Sequence, residues 1–270
     1  MKPAVPANEA QRLEALYQLK VLDSAPELAF DQLAQLAALM CQTPSAAVSL
    51  IDFDRQWFKA KVNLDVLQTS RADSICGFAI LTPDKLTYIP DTFADQRLLG
   101  HATTTAAVPV RFYAGAPLRL EPDLAIGTLC VFDSEPRQLS QAQLQALALL
   151  AEQAVTLLKH RLIALASLQQ QHTLTTIIEN VPVLLGQVDA QLRFIFCNQK
   201  YQQWFGLAPA ELIGKSIPEV FGAAALSFHQ PWLQRALAGE QVEFIAPKSY
   251  GRILNTGLVP QLNEQGQVAH

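Results

Sequence analysis

Charge is scarce in this chain. Only 16% of its 270 residues are Asp, Glu, Lys or Arg, against roughly 25% in an average soluble protein, and half are apolar. That balance excludes a disordered regulator, which buries too little apolar surface to fold. Twenty basic and twenty-four acidic side chains leave a net charge of -4 without long runs of one sign. Nucleic-acid binding, which needs a clustered basic footprint, is excluded with it. Cysteine is equally thin: Cys41, Cys76, Cys130 and Cys197 stand far apart with no Cys-x-x-Cys pair, so no zinc or dithiol motif is present. The four read as reduced, mostly buried thiols of a cytoplasmic chain. No basic head followed by an apolar core marks a secretory leader. The most apolar stretch, Leu144 to Leu168, is interrupted by Glu152, Lys159, His160 and Arg161. A bilayer span takes about 20 residues with few or no charges, so no membrane crossing is expected.

What is present is a length suited to two domains and a clear succession of periodicities. Leu13, Leu16 and Leu19, then Phe30, Leu33, Leu36, Ala37 and Met40, predict helices over 9–22 and 27–42. The link Asp23-Ser24-Ala25-Pro26-Glu27 offers cap residues and a first-turn proline. Strands over 46–51 and 56–62 flank the polar turn Asp52-Phe53-Asp54-Arg55 and form a hairpin. A short helix over 73–81, a third strand over 86–89 and a second hairpin, 111–120 with 124–132 around Glu121-Pro122-Asp123, complete an antiparallel α+β domain. Ser140 opens a helix running to about Glu179. Its positions Val155, Leu158, Leu162 and Leu165 form a short heptad seam, either a parallel dimer contact or an intramolecular core stripe. Beyond Asn180-Val181-Pro182, strands over 183–188 and 192–197 turn at Asp189-Ala190-Gln191. Asn198 is placed to cap a helix over 199–205, short helices surround Ala210 and Pro218, and a longer one covers 224–238. Strands over 241–246 and 252–260 and a turn at Asn263-Glu264-Gln265-Gly266 end the chain.

The first part resembles a GAF domain of the bacterial signalling type over roughly residues 9–160. The residues that carry the resemblance are Leu22-Asp23, Pro26-Glu27 and Phe30-Asp31, then Val48 to Asp52 leading into Asp54-Arg55-Gln56-Trp57-Phe58-Lys59. Ser74 to Ile80, Arg111 to Leu118 and Ile126 to Asp133 complete it. From about residue 174 the chain resembles a PAS domain, through Cys197-Asn198, Trp204-Phe205-Gly206, Glu211 to Ser216, Ala238-Gly239-Glu240 and the segment from Pro260 to Gly266. The implied architecture is α+β: two domains, each an antiparallel sheet with flanking helices, joined by a long helix. The division is GAF 9–139, helical signalling linker 140–179 and PAS 180–270. The resemblance implies five PAS strands with the last one central, so the chain is expected to be a fragment that stops before that strand, with an output domain following.

Both families hold small molecules in a cup over the sheet. The resemblance therefore points to Asp52, Trp57, Cys76, Phe78, Arg111 and Tyr113 in the first domain, and to Phe194, Trp204, Phe221, Phe228 and Trp232 in the second. Each set has a plainer reading. Cys76 in an apolar helix acts as a small hydrophobe, Asp52 and Arg55 pair across their turn, Trp57 and Phe58 face opposite sides of one strand, and the second set is ordinary core.

Sharper chemistry is excluded by residue order. A bilin needs Cys followed by His, whereas Gln42, Gly77, Val131 and Asn198 follow the four cysteines. A flavin photoadduct needs Asn-Cys-Arg, and Cys197 precedes Asn198. His229 is set early in a helix with Pro231 close behind, which disfavours a haem ligand. Gly214-Lys215-Ser216 lacks the first glycine of a phosphate loop, since position 209 is proline. No Asp-Glu pair completes a cyclic-nucleotide signature, and no glycine has the glycine neighbour that a Gly-Gly-Asp/Glu-Glu-Phe cyclase requires. No histidine precedes an acidic residue as a kinase phosphoacceptor does, and Glu14-Ala15-Leu16 spells a phosphodiesterase signature outside any barrel. The chain thus reads as a sensory module without its own catalysis, binding a small molecule of unknown identity or sensing redox state. It acts as a homodimer through the linker helix, upstream of a diguanylate cyclase or, alternatively, a histidine kinase. Rival readings are a thiol-dependent reductase on the GAF scaffold using Cys76 or Cys130, and a ligand-free dimerisation scaffold.

Overall fold

A computed structural model describes residues 2–249, 252–263, 265 and 268. The chain forms two compact units that divide between Ser167 and Leu168. Both are mixed helix and antiparallel strand, as the resemblance implies, with a long helix running from one into the other.

In the first unit, α1 (Glu9–Gln18) and α2 (Leu28–Cys41) precede β1 (Ser45–Ile51) and β2 (Arg55–Val62). Then come β3 (Gln68–Ser70), α3 (Ile75–Ala79), β4 (Thr87–Ile89), α4 (Ala102–Thr105), β5 (Phe112–Glu121) and β6 (Leu124–Asp133). The strands form one antiparallel sheet of order β3-β2-β1-β6-β5-β4. Both expected hairpins are present; β3, too short and polar to show a period, is an addition. Because strand side chains alternate, Ala46, Val48 and Leu50 of β1 face one core with Phe112, Ala114 and Ala116 of β5, α2 and the long helix. Ala47 and Ile51 face a second, with Tyr113, Cys130 and α3. Gly127 permits the central pairing, since a Cβ there would stand 1.9 Å from the Ser49 carbonyl oxygen.

Two helical expectations are corrected. The buried stripe of α2 is Phe30, Leu33, Ala34, Ala37 and Cys41, while Leu36 and Met40 are 45% and 46% exposed, about 100° round the helix from that stripe. The link before α2 supplies no side-chain cap. Its Ser24 hydroxyl, Ala25 carbonyl and Glu27 carboxylate instead wrap the buried Lys59 ammonium at 2.7 to 2.8 Å.

The helix α5 (Gln141–Asn180) begins in the first unit. Leu147, Ala151, Ala154, Val155 and Leu158 lie in that unit's core and Leu162 packs against it. The heptad seam is therefore an intramolecular stripe as far as Leu162. Arg161 fastens the same stretch, donating to Glu27 (2.7 Å) and to the carbonyls of Leu19 and Lys20.

The second unit contains β7 (Gly186–Val188), β8 (Phe194–Cys197), α6 (Lys200–Phe205), α7 (Pro209–Leu212) and α8 (Ile217–Phe221). It continues through α9 (Ala223–Leu237), β9 (Val242–Ser249) and β10 (Arg252–Leu258). β7 pairs with β8 and β9 with β10, as two hairpins that no strand ladder joins among the described residues. The Asp189 carboxylate accepts the N–H groups of Gln191 and Arg193 and sets the first turn. The expected turn at Asn263–Gly266 lies partly outside the described residues. Asn198 does not cap α6. Fully buried, its Oδ1 accepts the Leu185 N–H, and its Nδ2 donates to the carbonyls of Ile178 and Val183. No helix among the described residues is long and apolar enough to cross a membrane.

Candidate functional site

The six residues singled out in the first unit fall into four places. Asp52 follows β1 directly, and its carboxylate accepts from the Tyr17 hydroxyl (2.8 Å), the Phe53 N–H (2.8 Å) and Arg55 Nε (2.9 Å). Burial acts to raise its pKa, but the Arg55, Phe53 and Tyr17 donors outweigh that and hold it below the usual range. The pairing reading thus describes Asp52 and Arg55, with Asp23 closing the far side of the guanidinium at 2.6 and 2.9 Å. Trp57 is buried on the α2 and α5 side of the sheet. Arg111 grips Asp91 through two bonds of 2.9 and 2.7 Å, and its guanidinium lies 4.0 Å from the Phe93 ring centroid. Only Cys76, Phe78 and Tyr113 share a location, the second core, so the six do not line one cup.

Beside them sits a polar cluster that sequence reasoning did not assemble. Cys76 Sγ accepts from Gln56 Nε2 (3.1 Å) and from the Tyr113 hydroxyl (3.2 Å), and lies 3.8 Å from Cys130 Sγ. Gln56 Nε2 also donates to Ser49 Oγ. The register explains the meeting, since Ser49 opposes Thr128 and Ala47 opposes Cys130 across β1 and β6. Gly115 contributes by omission, because the Tyr113 ring folds across it where a Cβ would stand 2.2 Å from the hydroxyl oxygen. Phe78 meets His101 edge to face at 5.8 Å.

In the second unit a cavity of about 390 Å³ opens between the hairpins and the short helices. Phe194, Trp204 and Phe221 line it, together with Tyr201, Phe205 and His229. Phe194 is the hub, edge to face with Tyr201 at 5.7 Å and with Phe221 at 6.1 Å. Phe228 and Trp232 do not line it: they tilt together, and Trp232 stacks on Phe244 at 4.4 Å. Sequence spacing missed Tyr201 and Phe205, although both stand on the helix that brings Trp204 to the wall. Burial pushes the Tyr201 phenol up to about 12, so it stays protonated and can donate. His229 Nδ1 must donate to the Ala225 carbonyl at 2.7 Å, which leaves the neutral ring its lone pair on Nε2. Among the described residues no group of three or more His, Cys, Asp or Glu side chains is placed to hold a metal ion. The arrangement suits binding: an aromatic wall for a flat molecule and a few polar groups to orient it.

Comparison with known proteins gives the same division. A family model for the GAF domain matches residues 25–158 and one for the PAS fold matches residues 178–270. The cyclic di-GMP phosphodiesterase PA2567 of Pseudomonas aeruginosa is 36% identical over 158 residues, which are 58% of this chain and 25% of that protein. The chain thus spans about a quarter of that relative's length. Among solved structures, the GAF domain of an Acinetobacter phosphoenolpyruvate-protein phosphotransferase is 16% identical with a TM-score of 0.42, covering 57% of this chain and 94% of that one. The PixJ GAF domain of Thermosynechococcus elongatus is 14% identical with a TM-score of 0.42, covering 63% and 98%. The chain therefore carries, in order, a GAF domain over residues 25–158 and a PAS-fold domain over residues 178–270.

Proposed function

We propose that this chain is the cytoplasmic sensory module of a cyclic di-GMP signalling protein, and that the cup of its PAS-fold domain binds a small, flat, mostly apolar molecule. The observation that carries the reading is the cavity of about 390 Å³ walled by Phe194, Trp204 and Phe221, with the Tyr201 phenol and His229 as its polar handles. Occupancy acts on an attached output domain only as far as the ligand prefers one arrangement of the chain over another. The relative's activity supports turnover of cyclic di-GMP as the output, and supports hydrolysis ahead of synthesis or of a histidine kinase. Self-association through the helix beyond Leu162 belongs to the same reading.

The test is native mass spectrometry of the purified chain beside Ala225→Trp, which fills the cup from α9. A small molecule retained by the native chain and lost from a folded Ala225→Trp supports the reading. Equal retention, or none in either after incubation with cell extract, overturns the binding role. In the full-length gene product, the same substitution is expected to change cyclic di-GMP turnover, and unaltered turnover overturns the coupling.

A further inference from the structure

The thiol cluster of the GAF domain serves no part of the reading above. Cys76 on α3 and Cys130 on β6 are both buried, with sulfurs 3.8 Å apart. A disulfide is about 2.05 Å long, so bonding needs an approach of about 1.8 Å. α3 is only five residues long, so the approach asks for a shift of one short element. The cluster also carries more polarity than core packing needs. Gln56 and Tyr113 both aim donors at Cys76, the arrangement that favours a thiolate, and Cys130 Sγ lies 3.6 Å from the Ala47 carbonyl oxygen. Thr128, fully buried and opposite Ser49 in the sheet, adds a hydroxyl to the same cluster.

We propose that Cys76 and Cys130 are a redox site, closing to a reversible disulfide when the chain meets a hydroperoxide. The Cys76 thiolate attacks the terminal peroxide oxygen, the O–O bond breaks, and the departing alkoxide or hydroxide takes up the proton that Cys76 gave up. The sulfenic acid so formed is attacked by Cys130. The S–S bond forms, the S–O bond breaks, and hydroxide leaves as water with the Cys130 proton. Two electrons pass from the thiol pair to the peroxide, whose products are an alcohol (water, from hydrogen peroxide) and a second water. The two thiols are unequal in the direction this order needs. Burial alone would raise Cys76, but hydrogen bonds from Cys130, Ser49, Thr128 and Tyr113 bring it below the usual thiol range, while its bond to Cys76 and burial hold Cys130 well above it. Cys41, pushed up by burial to about 11, and Cys197, also raised by burial, are internal controls.

The experiment treats the reduced chain with hydrogen peroxide, alkylates it in denaturant, and digests it without reductant for mass spectrometry. The expected product is lighter by two hydrogen atoms before alkylation, with the Cys76 and Cys130 peptides joined, Cys41 and Cys197 alkylated, and all four thiols recovered by dithiothreitol. In folded Cys130→Ala the reaction stops at a Cys76 sulfenic acid that dimedone labels, and Tyr113→Phe slows cross-linking several-fold in the native pair. Four alkylated cysteines after peroxide, or oxidation of Cys41 or Cys197 ahead of Cys76, overturns the proposal. If Cys130→Ala does not fold, the native peptide map decides alone.

Discussion

Thr128 holds a fully buried hydroxyl in the thiol cluster, where it acts on Cys76, Tyr113 and Cys130. A buried polar group that loses its partner costs about 1–3 kcal/mol, so the isosteric Thr128→Val is expected to destabilise the GAF domain by about 1 kcal/mol, read as a lower midpoint in urea; a higher one would show the hydroxyl to be unengaged. Glu9 is held by full charges instead. It accepts from Arg12 at 2.8 Å and from Arg71 at 2.5 Å, and although burial acts to raise its carboxyl, the two guanidiniums outweigh this and bring it from the usual 4.5 to about 2. A depressed carboxyl stabilises the fold above its unfolded pKa and loses that contribution as pH falls through the folded one. Between about pH 5 and pH 2 the native chain should therefore lose about 2 kcal/mol that Glu9→Gln does not, measurable by urea unfolding across that range. At this scale the pairing of Asp52 with Arg55 is legible from their separation in one turn. The partners of Cys76 are not, because Gln56, Tyr113 and Cys130 reach it only through strand register.

The elements of the GAF domain are tied at one charged knot. Glu27 accepts from both Lys59 and Arg161 at 2.7 Å, joining β2 to the approach to α2 and to α5. Removing one partner of a buried pair costs about 3–5 kcal/mol; Glu27 is 37% exposed, so Lys59→Ala is expected to cost about 2–3 kcal/mol after solvent screening, whereas Lys59→Arg retains part of it. Urea midpoints of the two variants separate the charge from the geometry. Leu158→Ala belongs here too, at about 2–5 kcal/mol, since the side chain lies in the core. The hairpins and long helices are legible because their apolar spacing repeats over many residues. The destination of a helical stripe is not: the same Val155 and Leu158 pattern fits a partner helix or a sheet, and tertiary packing chose the sheet. Phe228 and Trp232 misled for a related reason, since helical spacing places two rings on one face without saying which neighbour that face meets.

At the scale of the molecule, the buried clusters fall on one side or the other of the division between Ser167 and Leu168. Urea unfolding is expected to show two midpoints, with Trp57 fluorescence following the first unit and Trp204 with Trp232 the second; one shared midpoint in single-tryptophan variants would contradict this. Self-association is expected to depend on the exposed Leu174 and Ile177 of α5, so aspartate at both positions should lower the sedimentation coefficient while leaving the GAF core unchanged. The order of domains is legible because each motif series is long; the cup is legible only in part, since its wall comes from helices too short to show a period. One amide has a reach out of proportion to its size. Asn198 holds a carbonyl in the last turns of α5, another in the lead to β7, and the Leu185 N–H, all from the end of the strand that carries Phe194. One side chain thus ties the end of the helix, the lead to β7 and the strand of the aromatic wall at a single corner, so any displacement of one of the three has to break or carry along the bonds to the other two.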